Sequence, residues 1–139
     1  MRILGIDYGD KRIGIAISDA LGITAQPVSV IENKGSVSQE ITDLRKIIGS
    51  YGGVDGIVVG LPKTMAGKIG EQAQKVLLFV EEIQKAFEVK IETWDERLTT
   101  VEAERTLIMA GLSRKKRKKV IDKSAATYIL QSYLDAKKR

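Results

Sequence analysis

The chain contains no histidine and no cysteine among its 139 residues. Without imidazole there is no Ser-His-Asp triad, no histidine zinc ligand and no histidine acid/base pair. Without thiols there are no disulfides and no thiolate metal sites, and nothing points to an oxidising compartment. Aromatics make up only 5% of the chain, so no stripe of stacking rings is visible, and Trp94 and Tyr133 read as core or rim packing. Long apolar runs are missing too: nothing approaches the roughly 20 residues that span a bilayer. The opening MRILGIDYGD also lacks the apolar core of a signal peptide. No membrane partner is expected, and the cytoplasm is the expected location. An enzyme drawn from this set works with carboxylates, Lys, Arg, hydroxyls and hard metal ions held by oxygen.

What is present suffices for one core. A hydrophobic content of 43% supports a single domain over residues 1–139, and no linker is long enough to divide it. Charge is uneven: residues 111–139 hold ten of the 23 Lys and Arg but only two of the 18 Asp and Glu. Arg114, Lys115, Lys116, Arg117, Lys118 and Lys119 form an unbroken basic run. Such a patch is the electrostatic footprint of phosphate-backbone binding, because each neutralised phosphate releases counterions. A solvated charged tail is the plain alternative.

The apolar periodicity gives the order β-β-β-α-β-α-β-α-α. Ile13, Ile15 and Ile17 alternate with Gly14, Ala16 and Ser18, a strand period of two, and with RILGIDYG they predict an antiparallel hairpin. PVSVI continues it as a meander. A helix follows, with Val37, Ile41, Leu44 and Ile48 on one stripe and Ser36 with Gln39 as a capping box. VDGIVVGLP reads as a buried central strand, and KTMAGKIG as a mobile, glycine-punctuated loop. A helix over about 71–87, a strand over VKIETW, a helix capped by Thr99 and closed by Gly111, and a last helix from about Val120 to Ala136 complete the chain. Together these elements predict an α/β fold, with a mixed five-stranded sheet covered by helices on both faces.

Three places put carboxylates where burial makes them costly. Asp7 ends the first strand, Asp95 and Glu96 end the fifth, and Asp122 heads the last helix on one stripe with Ala126, Ile129 and Tyr133. Taken singly each has an ordinary use: Asp7 as a turn residue, Glu96 in a surface ion pair, Asp122 at the positive end of a helix. Together they suggest convergence, since open α/β sheets place ligands at the carboxyl ends of strands. Clustered buried carboxylates repel one another unless a cation compensates them, and Mg²⁺ or Mn²⁺ suits an all-oxygen set. Lys63 and Lys68, in a loop after a central strand, are candidates to touch a substrate backbone. That loop lacks the G-x-x-x-x-G-K-[ST] arrangement of a nucleotide-binding P-loop.

Four segments in order, GIDYGDKRIGIAISD, GLPKTMAGKIG, WDERLTT and VIDKSAATYILQSYL, closely resemble the YqgF family along essentially the whole chain. That family has an RNase H-like fold, and its members are described as pre-16S rRNA nucleases and as Holliday-junction resolvases. The resemblance implies a divalent-metal nuclease with Asp7, Glu96 and Asp122 as its acidic triad and metal ligands, Asp95 being the alternative to Glu96. The family commonly has a small hydroxyl residue where this chain has Asp10. The expected partner is nucleic acid, either structured or precursor RNA or branched DNA, held by Arg97 and the 114–119 run together with Lys63 and Lys68. The expected activity is 5′-end processing of pre-16S rRNA, with junction resolution in DNA recombination or a non-catalytic RNA-binding module as alternatives. A monomer suffices for the first, whereas paired cuts in a junction call for a homodimer.

Overall fold

Isoleucines alternating with small residues open the chain as a hairpin. In the computed structural model, which describes residues 1–97 and 114–137 without the side chains of 114–124, β1 (Ile3–Tyr8) pairs antiparallel with β2 (Arg12–Ser18). The turn needs Gly9: its N–H donates to the Arg12 carbonyl at 2.9 Å, and a Cβ there would stand 2.7 Å from that oxygen. β3 (Ala25–Glu32) adds antiparallel to β2. α1 (Val37–Ser50) follows, with the Ser36 hydroxyl accepting from the Gln39 N–H at its first turn.

β4 (Gly56–Leu61) then pairs parallel with β1, α2 (Glu71–Ala86) crosses over, and β5 (Lys90–Asp95) pairs parallel with β4. The sheet order is β3-β2-β1-β4-β5, and every residue of β4 is buried, as a parallel strand between neighbours requires. The expected mixed five-stranded sheet is present, and the helix expected between Thr99 and Gly111 lies outside the described residues.

Strand alternation sorts the two faces. Leu4, Ile6, Ile13, Ile15, Ile57 and Val59 point toward α1 and α2 and meet Leu44, Val76, Phe79 and Ile83. Phe79 stacks on Tyr8 with ring centroids 4.2 Å apart. The opposite face carries Ile3, Ala16 and Val58, and the last helix, α3 (Arg114–Lys137), lays Ala126, Leu130 and Leu134 across it. Small residues let α3 come close. A Cβ on Gly5 would meet the Leu130 Cβ at 2.8 Å, and one on Gly14 would meet the Ala126 Cβ at 3.4 Å.

Two expectations change. α3 begins at Arg114, not near Val120, so the basic run forms its first turns instead of a segment leading into it. Lys and Arg are good helix formers, and no Gly or Pro lies between Arg114 and Lys137 to stop the helix. Asp122 therefore sits about two turns inside the helix and does not serve its positive end. The loop after β4, expected to be mobile, is a closed turn. Thr64 N–H donates to Lys68 O (3.0 Å), Gly67 N–H to Thr64 O (2.8 Å) and Lys68 N–H to the Thr64 hydroxyl (3.1 Å), with Gly67 at φ +80°.

One inward residue of α1 is an acid. Glu40 is 2% exposed, and neither carboxylate oxygen has a hydrogen-bond partner among the described residues. Burial, with a smaller push from Asp43, holds its carboxyl above the ordinary range. A raised carboxyl pKa contributes stability at low pH that is lost as the pH rises. Glu40→Leu should therefore raise unfolding stability at pH 8 by about 1–3 kcal/mol in urea titrations, with the gain shrinking toward pH 4. An unchanged or lowered urea midpoint at pH 8 would contradict this account.

Candidate active site

Because β1, β4 and β5 run parallel, their carboxyl ends share one rim of the sheet. Asp7 lies one residue before the end of β1, on the α3 side, opposite Gly14 of β2. The Asp7 Cβ is 3.7 Å from where a Gly14 Cβ would stand. Glu96 directly follows β5, and by strand alternation it takes the same face as Trp94, which packs with the α3-side cluster. Its carboxyl comes back over β4: a Cβ on Gly60 would meet Glu96 Oε1 at 2.6 Å, Glu96 Cγ at 2.9 Å and Ile129 Cδ1 at 2.6 Å. Gly60 is thus the gap in the central strand through which the glutamate reaches Asp7. A glycine inside an apolar strand signals close approach of another group, and GIVVGLP carries that signal in the sequence itself.

The electrostatics follow from this packing. Burial, then the charge of Asp7, then a hydrogen bond with Asp7 push the Glu96 carboxyl up to about 8. At neutral pH in the absence of a cation, a protonated Glu96 donates to the Asp7 carboxylate, the ordinary response of two acids in a poorly solvated pocket. The same donor set fits a divalent metal. Both groups are hard oxygen ligands, and their mutual repulsion is what a cation relieves.

Asp95 turns away from this pair. Its Oδ1 accepts from the Arg97 backbone N–H (3.0 Å) and from Nε (3.1 Å), and its Oδ2 accepts from Nη2 (2.6 Å). That fork, helped by Lys63, holds the Asp95 carboxyl below the usual range. Consecutive residues of a strand end face opposite ways, and here the aspartate takes the arginine while the glutamate takes Asp7. Arg97, expected on nucleic acid, is also turned toward the β4–α2 loop, where its Nη1 donates to the Met65 carbonyl at 3.5 Å. Lys63 and Lys68 stand in that loop. Asp10, in the hairpin turn, pairs with Lys75 of α2 at 3.3 Å, so its charge is directed to that lysine. Trp94 and Tyr133 meet edge to face at 5.6 Å, and Trp94 donates to the Ser132 hydroxyl.

The third acid of the expected triad can be placed only by its backbone. Ala126 lies against Gly14, level with Asp7, and Leu130 and Leu134 step down the sheet from Gly5 to the Ile3 cluster. α3 therefore runs antiparallel to β1. Position 122, one turn before Ala126 on the same stripe, comes to the rim where β1 ends. The side chains of Asp122 and of Arg114, Lys115, Lys116, Arg117, Lys118 and Lys119 lie outside the described residues. No helix of the described residues is long and apolar enough to cross a membrane.

Comparison with known proteins gives one family. The model of a family described as "RuvX: Holliday junction resolvase" matches residues 1–136. A protein of Clostridium novyi named "Putative pre-16S rRNA nuclease" is 52% identical over 136 residues, covering 98% of this chain and 99% of that protein. One of the same name from Clostridium botulinum is 54% identical over 136 residues, covering 98% of each. Among solved structures, RuvC of Thermus thermophilus in complex with a Holliday junction substrate aligns with a TM-score of 0.59 at 16% identity, covering 99% of this chain and 95% of that one. At that identity the likeness establishes the fold, an RNase H-like sheet.

The raised Glu96 carboxyl yields a stability test. In EDTA the protein should lose stability as the pH climbs from about 4.5 to about 8, since a folded-state pKa above the ordinary 4.5 favours the fold only while the proton is held. Glu96→Gln should flatten that decline, leaving the part due to Glu40, and should melt higher than the unaltered chain at pH 8. Melting followed by Trp94 fluorescence checks this, and parallel pH profiles for the two proteins would refute it.

Proposed function

The chain belongs to the RuvX family, and from that membership together with the contact between Asp7 and Glu96 we propose that it is a divalent-metal-dependent nuclease that hydrolyses phosphodiester bonds, acting on the 5′ end of pre-16S rRNA during ribosome biogenesis in the cytoplasm. The carrying observation is the meeting of two acids at the carboxyl ends of β1 and β5. Open α/β sheets bind ligands at that rim, and no histidine is available for another hydrolytic route. Asp7 from β1, Glu96 from the end of β5 and Asp122 from α3 would hold Mg²⁺ or Mn²⁺. When bound, such an ion polarises the scissile phosphate and offsets the charge that develops there.

The rest of the work falls to the chain. Ile129, against Gly60, and Ala126, against Gly14, close the space behind the acids, which keeps the carboxyl pair poorly solvated and its orientation fixed. The first turns of α3 carry the basic run toward the rim, where it would hold flanking phosphates without reading bases. Lys63 and Lys68 would hold them from the β4–α2 loop. Arg97, with its guanidinium forked on Asp95, is aimed rather than loose, so its contact with a substrate would be made by the N–H groups that the fork leaves over. Junction resolution stands as the second reading on the family description alone, and it uses the same chemistry presented twice in a two-fold dimer.

Incubation with a 5′-extended rRNA precursor and with a synthetic four-way junction, in Mg²⁺, Mn²⁺ and EDTA, separates these readings. Cleavage of the precursor should require the divalent ion and fall at least about a hundredfold in Asp7→Asn and Asp122→Asn. Activity that survives EDTA or both substitutions would remove the metal mechanism, whereas binding without cleavage under any of these conditions would leave a non-catalytic RNA-binding module. Replacing Lys115, Lys116 and Lys118 by Ala should weaken binding to every sequence alike. It should also reduce the slope of log K against log salt by about 1 per lysine, read by fluorescence anisotropy. An unchanged slope would return the run to a solvated helix face.

A further inference from the structure

Met65 is 93% exposed, more than any other large apolar side chain among the described residues. A lone apolar residue on a surface is ordinary, but this one is held out from a fixed base beside the acids. It occupies the tip of the turn closed by Thr64, Gly67 and Lys68. Its own carbonyl accepts from Arg97, whose guanidinium Asp95 has already clamped. Gly67 packs against that guanidinium, since a Cβ there would stand 3.3 Å from Nη1. The turn is thereby tied to the residue next to Glu96. On the sequence either side of the methionine stand Lys63 and Lys68, cations suited to successive phosphates of one strand.

Resting on the nuclease reading above, we propose that Met65 is a wedge that enters an opened base step of the substrate strand, so that the site takes nucleic acid unpaired or branched near the scissile phosphate instead of continuous duplex. Lysines holding the backbone on both sides bring the bases of that strand to the side chain between them. Apolar side chains inserted at base steps unstack them and hold the strand bent. An unbranched thioether suits the place, because its polarisable sulfur sits well against ring faces and its length adapts to either base. The turn supplies rigidity and the methionine supplies the surface that the sequence otherwise lacks, with aromatics so scarce.

The test uses Asp7→Asn in EDTA, so that substrate is bound and not cut, with a short single strand carrying 2-aminopurine and the duplex of the same sequence. Binding of the single strand should raise 2-aminopurine emission as its neighbours are unstacked. Adding Met65→Ala should abolish that rise and weaken single-strand binding roughly fivefold while duplex binding stays unchanged. Met65→Leu should retain both. An emission rise that persists in Met65→Ala, or equal losses on single strand and duplex, would overturn the wedge. In that case metal-dependent cleavage by the unaltered chain leaves the nuclease reading standing. Failure of the unaltered chain to bind either polymer or to cut any substrate would remove that reading and the wedge with it.

Discussion

Two carboxyl groups, Asp7 and Glu96, are held in contact at one end of the sheet, and much of the local structure serves to keep them there. Left to solvent they would separate, since like charges in a poorly solvated space repel strongly. The fold denies them that freedom. Glu96 is drawn over the central strand through the gap at Gly60, and Ile129 of α3 fills the space beside it. The result is a hydrogen bond between the two carboxyl groups and a Glu96 carboxyl pushed up to about 8. Electrostatic repulsion of this kind is what a bound cation would relieve, which is why the pair supports the metal-dependent reading proposed above.

The close approach of α3 is the second condition. Gly5, Gly14 and Ala16 leave the helix-facing side of β1 and β2 nearly flat, and Ala126, Leu130 and Leu134 settle on it. Because α3 runs antiparallel to β1, each step toward its N-terminus rises toward the rim. The helix thus ties the packing of the sheet's lower half to the position of Asp122 and of the basic turns before it. One continuous helix carries both positions 114–119 and position 122, so the packing of its C-terminal half on the sheet fixes the backbone of both.

Asp95 and Glu96 show how neighbouring, similar residues come to different work. Strand alternation sends one carboxyl to each side of the sheet edge. The aspartate forms a fork with Arg97 that holds its carboxyl below the usual range, while the half-buried glutamate sits against another acid and its carboxyl is pushed up. Arg97 in turn fixes the β4–α2 turn, so the segment WDERLTT organises the loop as well as the site. Glu40, buried on α1 without a partner among the described residues, is a different matter: the structure shows its cost and no compensating contact.

Much was legible in the residues themselves. Period-two alternation in RIGIAISD, the continuous apolar run of GIVVGL and the 3.6-residue stripe of α1 dictated these elements. The order of those elements implied a mixed sheet with acids ending its strands, because local periodicity reflects local burial. The missing histidine and cysteine narrowed the chemistry to oxygen ligands before any coordinate. Where α3 starts was misread because a basic run has no apolar period, although its helix propensity is high. Which of Asp95 and Glu96 meets Asp7, the passage at Gly60, the closure of the 64–68 turn and the burial of Glu40 depend on groups far apart in the chain. Contacts across the sheet are set by register and by the volume a neighbouring helix leaves, and neither quantity is carried by any one segment, so tertiary structure alone decided them.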